Sequence, residues 1–348
     1  MNNTINGNIE LLRYTFTIAV AVMHVWYIFY GCTYFMEGAY LAVDFFFVLS
    51  GFYLAKKISS THESAWRYTI SRYVKIAFVY ISAIIADCIL ASSSVVDFAR
   101  TTLRAIPDML ALQSSGFFYP TINVIVWYIS AMLIVGFFIV ALINLNERLF
   151  KSILAPLFII AGYSIVYYYF RCLDVTTNHT GYLFPISLFR ALSGMCLGYV
   201  VKSICDKIEC TKGNVTVTGK FAIYCVLLVS ISLIFYAFLH SHSSYSFMFL
   251  LGSPVMIICC NVQNMSTLRK FMGGGNFIGQ KLSMLFGRQF SLTMYCYSII
   301  LFDIMQRIIP ISLMGRYTYT AIYLVFLILC SWGVSRLADV VNKRLLKF

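Results

Sequence analysis

Charge is what this chain has least of. Only 11% of its 348 residues are Asp, Glu, Lys or Arg, while 60% are hydrophobic. Soluble domains carry about 25% charged residues, and a fold of this size cannot cover so apolar an interior with so few. That shortage excludes a soluble enzyme and a disordered chain. Acidic residues are the scarcer sign, 13 against 26 basic ones, for a net charge of +13. The excess falls between apolar runs, so it reads as a report on membrane topology and not as a nucleic-acid surface. Metal spacing is also missing: the 11 cysteines include no CxxC pair and no Cys/His ligand pattern, and they read as small core residues. No internal repeat is visible, which counts against an inverted-repeat transporter.

What the chain does have is long apolar runs, near 12–32, 38–55, 76–92, 122–144, 152–170, 183–201, 221–239, 245–262, 289–309 and 318–337. A membrane-crossing helix needs about 20 such residues. The expectation is therefore an all-α, polytopic bundle of about ten transmembrane helices in a lipid bilayer, one domain over 1–348. The first run outlasts a signal peptide and lacks a small-residue cleavage site, so it is expected to stay as a span. Lys and Arg gather in alternate connections, among them Lys56, Lys57, Arg67, Arg72 and Lys75, then Arg148 and Lys151, then Lys202 and Lys207, then Lys281 and Arg288. The other connections hold only Arg100, Arg104, Arg171, Arg307 and Arg316. This bias predicts both termini cytoplasmic. Residues 93–121 are too long for a turn and half apolar, and are expected to lie on or dip into the outer leaflet.

Ionisable side chains inside spans are costly and are functional candidates by default. Arg13 and His24 stand eleven residues apart in the first run. On a helix that spacing puts them on one face, about 16 Å apart along the axis. Asp44 opens Asp44-Phe45-Phe46-Phe47-Val48-Leu49-Ser50-Gly51-Phe52 and needs a histidine or arginine partner. The first two runs form a hairpin, so Asp44 is expected to face His24, fixing its tautomer and raising its basicity as suits a general base. Ser50 and Gly51 read as a small-residue helix contact. Arg72 and Lys75, three residues apart at a helix start, form a two-pronged phosphate site or an ordinary cytoplasmic anchor.

These residues carry a resemblance. Arg13-x10-His24 followed by Val43-Asp44-Phe45-Phe46-Phe47-Val48-Leu49-Ser50-Gly51-Phe52 resembles the acyltransferase-3 family of integral-membrane O-acyltransferases. Arg72-x2-Lys75 is similar to its Arg-x2-Arg element, Trp127-Tyr128-Ile129-Ser130 to its fourth-helix segment, Arg190 with Gly194 and Gly198 to its later Arg…Gly helix, and Ser291 to Tyr295 to its Ser-Tyr-x-x-Tyr segment. Two positions depart from the family: Met132 stands where an acid is common, and Ser298 where a histidine is common. Roles resting on those groups do not carry over.

The resemblance implies an acyl-CoA donor, usually acetyl-CoA, arriving from the cytoplasm, with no permanently bound cofactor and no metal. It implies a hydroxyl acceptor on a cell-surface polysaccharide or lipid-linked sugar, in a bacterial inner membrane. The chain reads as the stand-alone form, without an added esterase-like domain. Arg13, Arg72 and Lys75 would meet CoA phosphates. His24 would take the hydroxyl proton or relay the acyl group, with Asp44 and Arg13 in support. Trp127, Ser130, Tyr295 and Ser298 are candidates for the acceptor or the oxyanion. A polysaccharide or sugar-lipid transporter of the same layout is the competing class, and a scaffold subunit the blander one. The Arg13/His24/Asp44 set separates the enzyme from both, since a transporter has no reason to align them.

Overall fold

A computed structural model describes residues 6–30, 36–117, 121–175, 185–210, 217–240, 243–261, 266–310 and 313–345, with side chains omitted at 28–30, 210, 217–220, 266–273 and 345. Residues 31–32, 183–184 and 262, at the edges of three expected spans, lie outside the described residues. The structure is 89% helical, with no strand among the described residues. The major helices are α1 (Gly7–Tyr30), α2 (Ala42–Thr61), α3 (Ala65–Ala91), α4 (Val95–Arg104), α5 (Trp127–Leu145), α6 (Ala155–Phe170), α7 (Ile186–Cys210), α8 (Val217–Leu239), α9 (Phe249–Asn261), α10 (Ser266–Phe286), α11 (Phe290–Ile308) and α12 (Arg316–Leu345). The protein is an all-α polytopic membrane bundle.

Among the described residues, nine helical segments are long and apolar enough to cross a bilayer. The expected span at 289–309 is not one of them, because Asp303, Arg307 and several hydroxyl residues dilute α11. Packing nevertheless lays α11 along α3. Gln289 at its start donates to the Lys75 carbonyl, and Arg307 at its end donates to the Leu90 carbonyl. The two helices thus run together over about 22 Å, most of a hydrocarbon layer. The hydroxyl residues Ser291, Thr293 and Ser298 of α11 are buried, whereas Gln306 and Arg307 near its end are exposed. Both ends of the described chain lie at one face. Gly7 donates to Asn276 of α10, Arg336 of α12 reaches the α10 carbonyl of Met284, and Asn342 reaches Lys75.

α2 runs through the centre of the bundle, almost wholly enclosed. Its apolar residues cover every side, as a helix surrounded by others requires. Close approach to α7 is set by glycine on both partners. A Cβ on Gly51 would sit 1.9 Å from the Met195 carbonyl oxygen, and one on Gly198 would sit 1.9 Å from that of Val48. Gly51 is thus the small-residue contact expected of it.

The described part of the 93–121 connection, residues 93–117 and 121, does turn inward among the helices. α3 is longer than its expected run, starting at Ala65 with Ser64 as its cap, so Arg72 and Lys75 lie two to three turns inside it. α4 is an exposed amphipathic helix beyond the far end of α3. After Pro107 the chain turns back among the helices. Tyr80 donates to the Asp108 carbonyl at 2.7 Å, and Tyr73 donates to that of Met109. Tyr80 lies about 16 Å back from Ala91 along α3. Irregular backbone at this depth is tolerated because neighbouring side chains take up its polar groups: Ser130 Oγ receives the Ser114 amide and donates to the Ala111 carbonyl, and the Asp108 carboxylate receives the Ile122 amide. α5 therefore begins deep in the bundle, and Trp127 and Tyr128 start inside it.

Candidate active site

The buried carboxylate of α2 is engaged by a residue far along the chain. Asp44 Oδ2 lies 2.6 Å from one terminal nitrogen of Arg190, and Oδ1 lies 3.1 Å from its Nε. The guanidinium also donates to the carbonyls of Val175 and Tyr40, and it lies against the Tyr40 and Trp127 rings. Arg190 is 1% exposed and Asp44 is not exposed at all. The fork-on-fork pair and the two carbonyls take up four of the five guanidinium donors. This corrects the expected pairing of Asp44 with His24. Arg190, not counted among the candidate site residues, supplies the cation that Asp44 required, and the signal was there: an arginine inside an apolar run needs an anion as much as Asp44 needs a cation.

His24 meets Ser298 of α11 instead, with Nδ1 3.3 Å from Oγ. Ser298 Oγ also donates to the Tyr295 carbonyl at 3.1 Å. A serine has one hydroxyl proton, which goes either to the Tyr295 carbonyl or to His24 Nδ1. In the first arrangement the imidazole is protonated on Nδ1 and Nε2 keeps a lone pair. That is the tautomer a general base needs, set by a hydroxyl in place of a carboxylate. Ser298, noted as a departure from the family pattern, is thus in contact with the histidine.

Arg13 holds Glu10, one turn below it, through one terminal nitrogen at 2.9 and 3.2 Å. Arg13 and Arg72 both lie close enough to Tyr53 and Tyr128 to act on them electrostatically. Two cations from α1 and α3 therefore face one interior region. Arg72 lies over the Tyr68 ring, 5.7 Å from its centroid, with Lys57 over the same ring. Lys57 pairs with Glu63, whereas neither Arg72 nor Lys75 has an anionic partner among the described residues.

Accessibility marks an opening between these groups. From Gly38 to Phe52 every residue is buried except Ser50. On α5, Tyr128 and Met132 are half-buried with buried neighbours on both sides, as His24 and Met23 are on α1. Three of these points meet: Ser50 Oγ lies 3.3 Å from the Tyr128 hydroxyl and 3.3 Å from Met132 Sδ. Tyr128 stacks edge-on against Tyr295, whose carbonyl receives Ser298. Arg13 and Arg72 thus lie near Tyr53 and Tyr128, and Tyr295, in ring contact with Tyr128, connects this group to Ser298 and His24 one helical turn on.

Comparison with known families decides the class. A family model described as Acyltransferase domain, of the acyltransferase-3 type, matches residues 6–336. The chain belongs to the acyltransferase-3 family. No curated protein and no solved structure matches it. In this membrane acyltransferase, three of the expected acceptor or oxyanion candidates are already committed. Ser130 ties down the re-entrant segment, the Tyr295 hydroxyl donates to the Ile125 carbonyl, and Trp127 lies against Arg190. Of the four, Ser298 alone touches His24.

Proposed function

We propose that this acyltransferase takes an acyl group, most simply acetyl, from acyl-CoA at the cytoplasmic face and transfers it to a hydroxyl of a cell-surface polysaccharide or its lipid-linked precursor in a bacterial inner membrane. The observation that carries the reading is the arrangement of Arg13 and Arg72 about Tyr53 and Tyr128 on one side and, beyond Tyr295, a histidine whose Nε2 makes no hydrogen bond among the described residues. In this scheme Arg72, Lys75 and the uncommitted side of Arg13 hold the donor's phosphates, where charge-assisted bonds are strongest. His24 Nε2 removes the acceptor hydroxyl proton as the oxygen attacks the thioester carbonyl. The C–S bond then breaks and CoA leaves as the thiolate, taking up a proton. Ser298 holds the imidazole in its tautomer throughout, and Asp44 and Arg190 hold α2 against α7.

The test is transfer of radiolabelled acetyl from acetyl-CoA to surface glycan in membranes from a deletion strain and its complemented counterpart, with mass spectrometry of the glycan. Acetyl present only on complementation is the expected result. Identical glycans in both strains, with export altered, would favour the transporter class.

A further inference from the structure

The reaction outlined above makes no use of two hydroxyls midway along the cleft. Ser50 and Tyr128 stand 3.3 Å apart, longer than the usual 2.7–2.8 Å between hydroxyl oxygens. Their other partner is the Met132 thioether, at 3.3 and 3.8 Å, and thioether sulfur accepts only weakly. Ser50 is the single accessible residue in an otherwise buried stretch of α2, and its neighbour Gly51 already makes the close contact with α7. The pair therefore consists of two poorly satisfied donors, each partly accessible, in a place where leaving donors unsatisfied is costly.

Their position identifies the ligand chemistry. Ser50 is one helical turn from Tyr53, which lies near Arg13 and Arg72. Tyr128 touches Tyr295, the residue one turn before Ser298. The pair thus sits between the phosphate-binding end and the histidine. We infer that Ser50 and Tyr128 bind the pantetheine arm of the donor, donating to one of its amide carbonyls as the arm passes from the cations to His24. This rests on the acyl-CoA reading. An amide entering a protein interior within the membrane loses its water and needs donors in return. Two hydroxyls on rigid helices meet that need and set how far the thioester advances.

The experiment compares two probes on purified protein in nanodiscs: acetyl-CoA, and adenosine 3′,5′-bisphosphate, which keeps phosphates but has no arm. Tyr128→Phe keeps the ring packed against Phe47 and Tyr295, and Ser50→Ala removes a single oxygen. Each variant should weaken acetyl-CoA about two- to tenfold, the range of one neutral hydrogen bond, and leave the bisphosphate unchanged. Arg72→Ala should weaken both probes. Unchanged acetyl-CoA affinity in both variants, or equal loss of both probes, would overturn the inference while the donor reading stands. Wild-type protein that binds neither probe removes the donor reading, and this inference with it.

Discussion

Two polar pairs lie inside this bundle, and they differ in how far their bonding is complete. Asp44 and Arg190 share two bonds, and the arginine spends two more donors on backbone carbonyls with virtually no exposure. His24 and Ser298 share one bond, and the histidine remains half-buried with Nε2 unbonded among the described residues. The first pair is shut away from solvent on both sides. It joins α2 to α7 and to the segment ending at Val175. The second pair is left open on the side that faces the cleft. A charged residue within the membrane is thus a functional candidate only until its bonds are counted, and the structure replaces Asp44 with Ser298 as the partner of His24.

The largest effect that could break this contrast is expected at His24. His24→Ala should lower acyl transfer by about 10² to 10⁴, the range for loss of a general base, while detergent-extracted protein keeps its yield and thermal midpoint. Ser298→Ala should give a smaller loss in turnover, because it frees the imidazole tautomer without removing the base. Wild-type turnover per folded molecule in His24→Ala would end the catalytic reading.

Asp44→Asn and Arg190→Met should do the opposite. Removing one partner of a buried ion pair strands the other and costs about 3–5 kcal/mol. Folded yield should therefore collapse, and any surviving protein should keep a near-normal rate. Replacing both partners together with Leu and Met should recover much of the yield, since an apolar substitute leaves no stranded charge. A folded, stable Asp44→Asn that is catalytically dead would return Asp44 to the active site and erase the distinction.

The smallest effect concerns the basic mouth. Arg72→Ala or Lys75→Ala should raise the acetyl-CoA dissociation constant about tenfold, as expected for one charge-assisted bond, with turnover at saturating donor little changed. The loss should shrink at high salt because the site is open to water. A change in turnover without a change in affinity would place the phosphates elsewhere.

Much of the architecture could be read from composition alone. Apolar runs of span length left little choice but helices, because backbone polar groups in lipid must bond within their own segment. The Arg13–His24 stripe was legible for the same reason: both residues lie on one helix, whose geometry is fixed. The re-entrant path after Pro107 was only half legible. Its length and mixed composition signalled a departure from a simple loop, but its depth depends on Tyr73, Tyr80 and Ser130 from other helices.

By itself, then, the sequence determined a helical membrane bundle, the demand of Asp44 for a cation, and the placement of Arg13 and His24 on a common face. Tertiary structure alone decided that Asp44 belongs to Arg190, 146 residues away, that His24 belongs to Ser298, and that Ser50 meets Tyr128. The reason is rotational. Helices that are apolar all round carry no pattern saying which face looks inward, so the azimuth of each is settled only by packing against its neighbours, at places such as Gly51 and Gly198 where two backbones can touch.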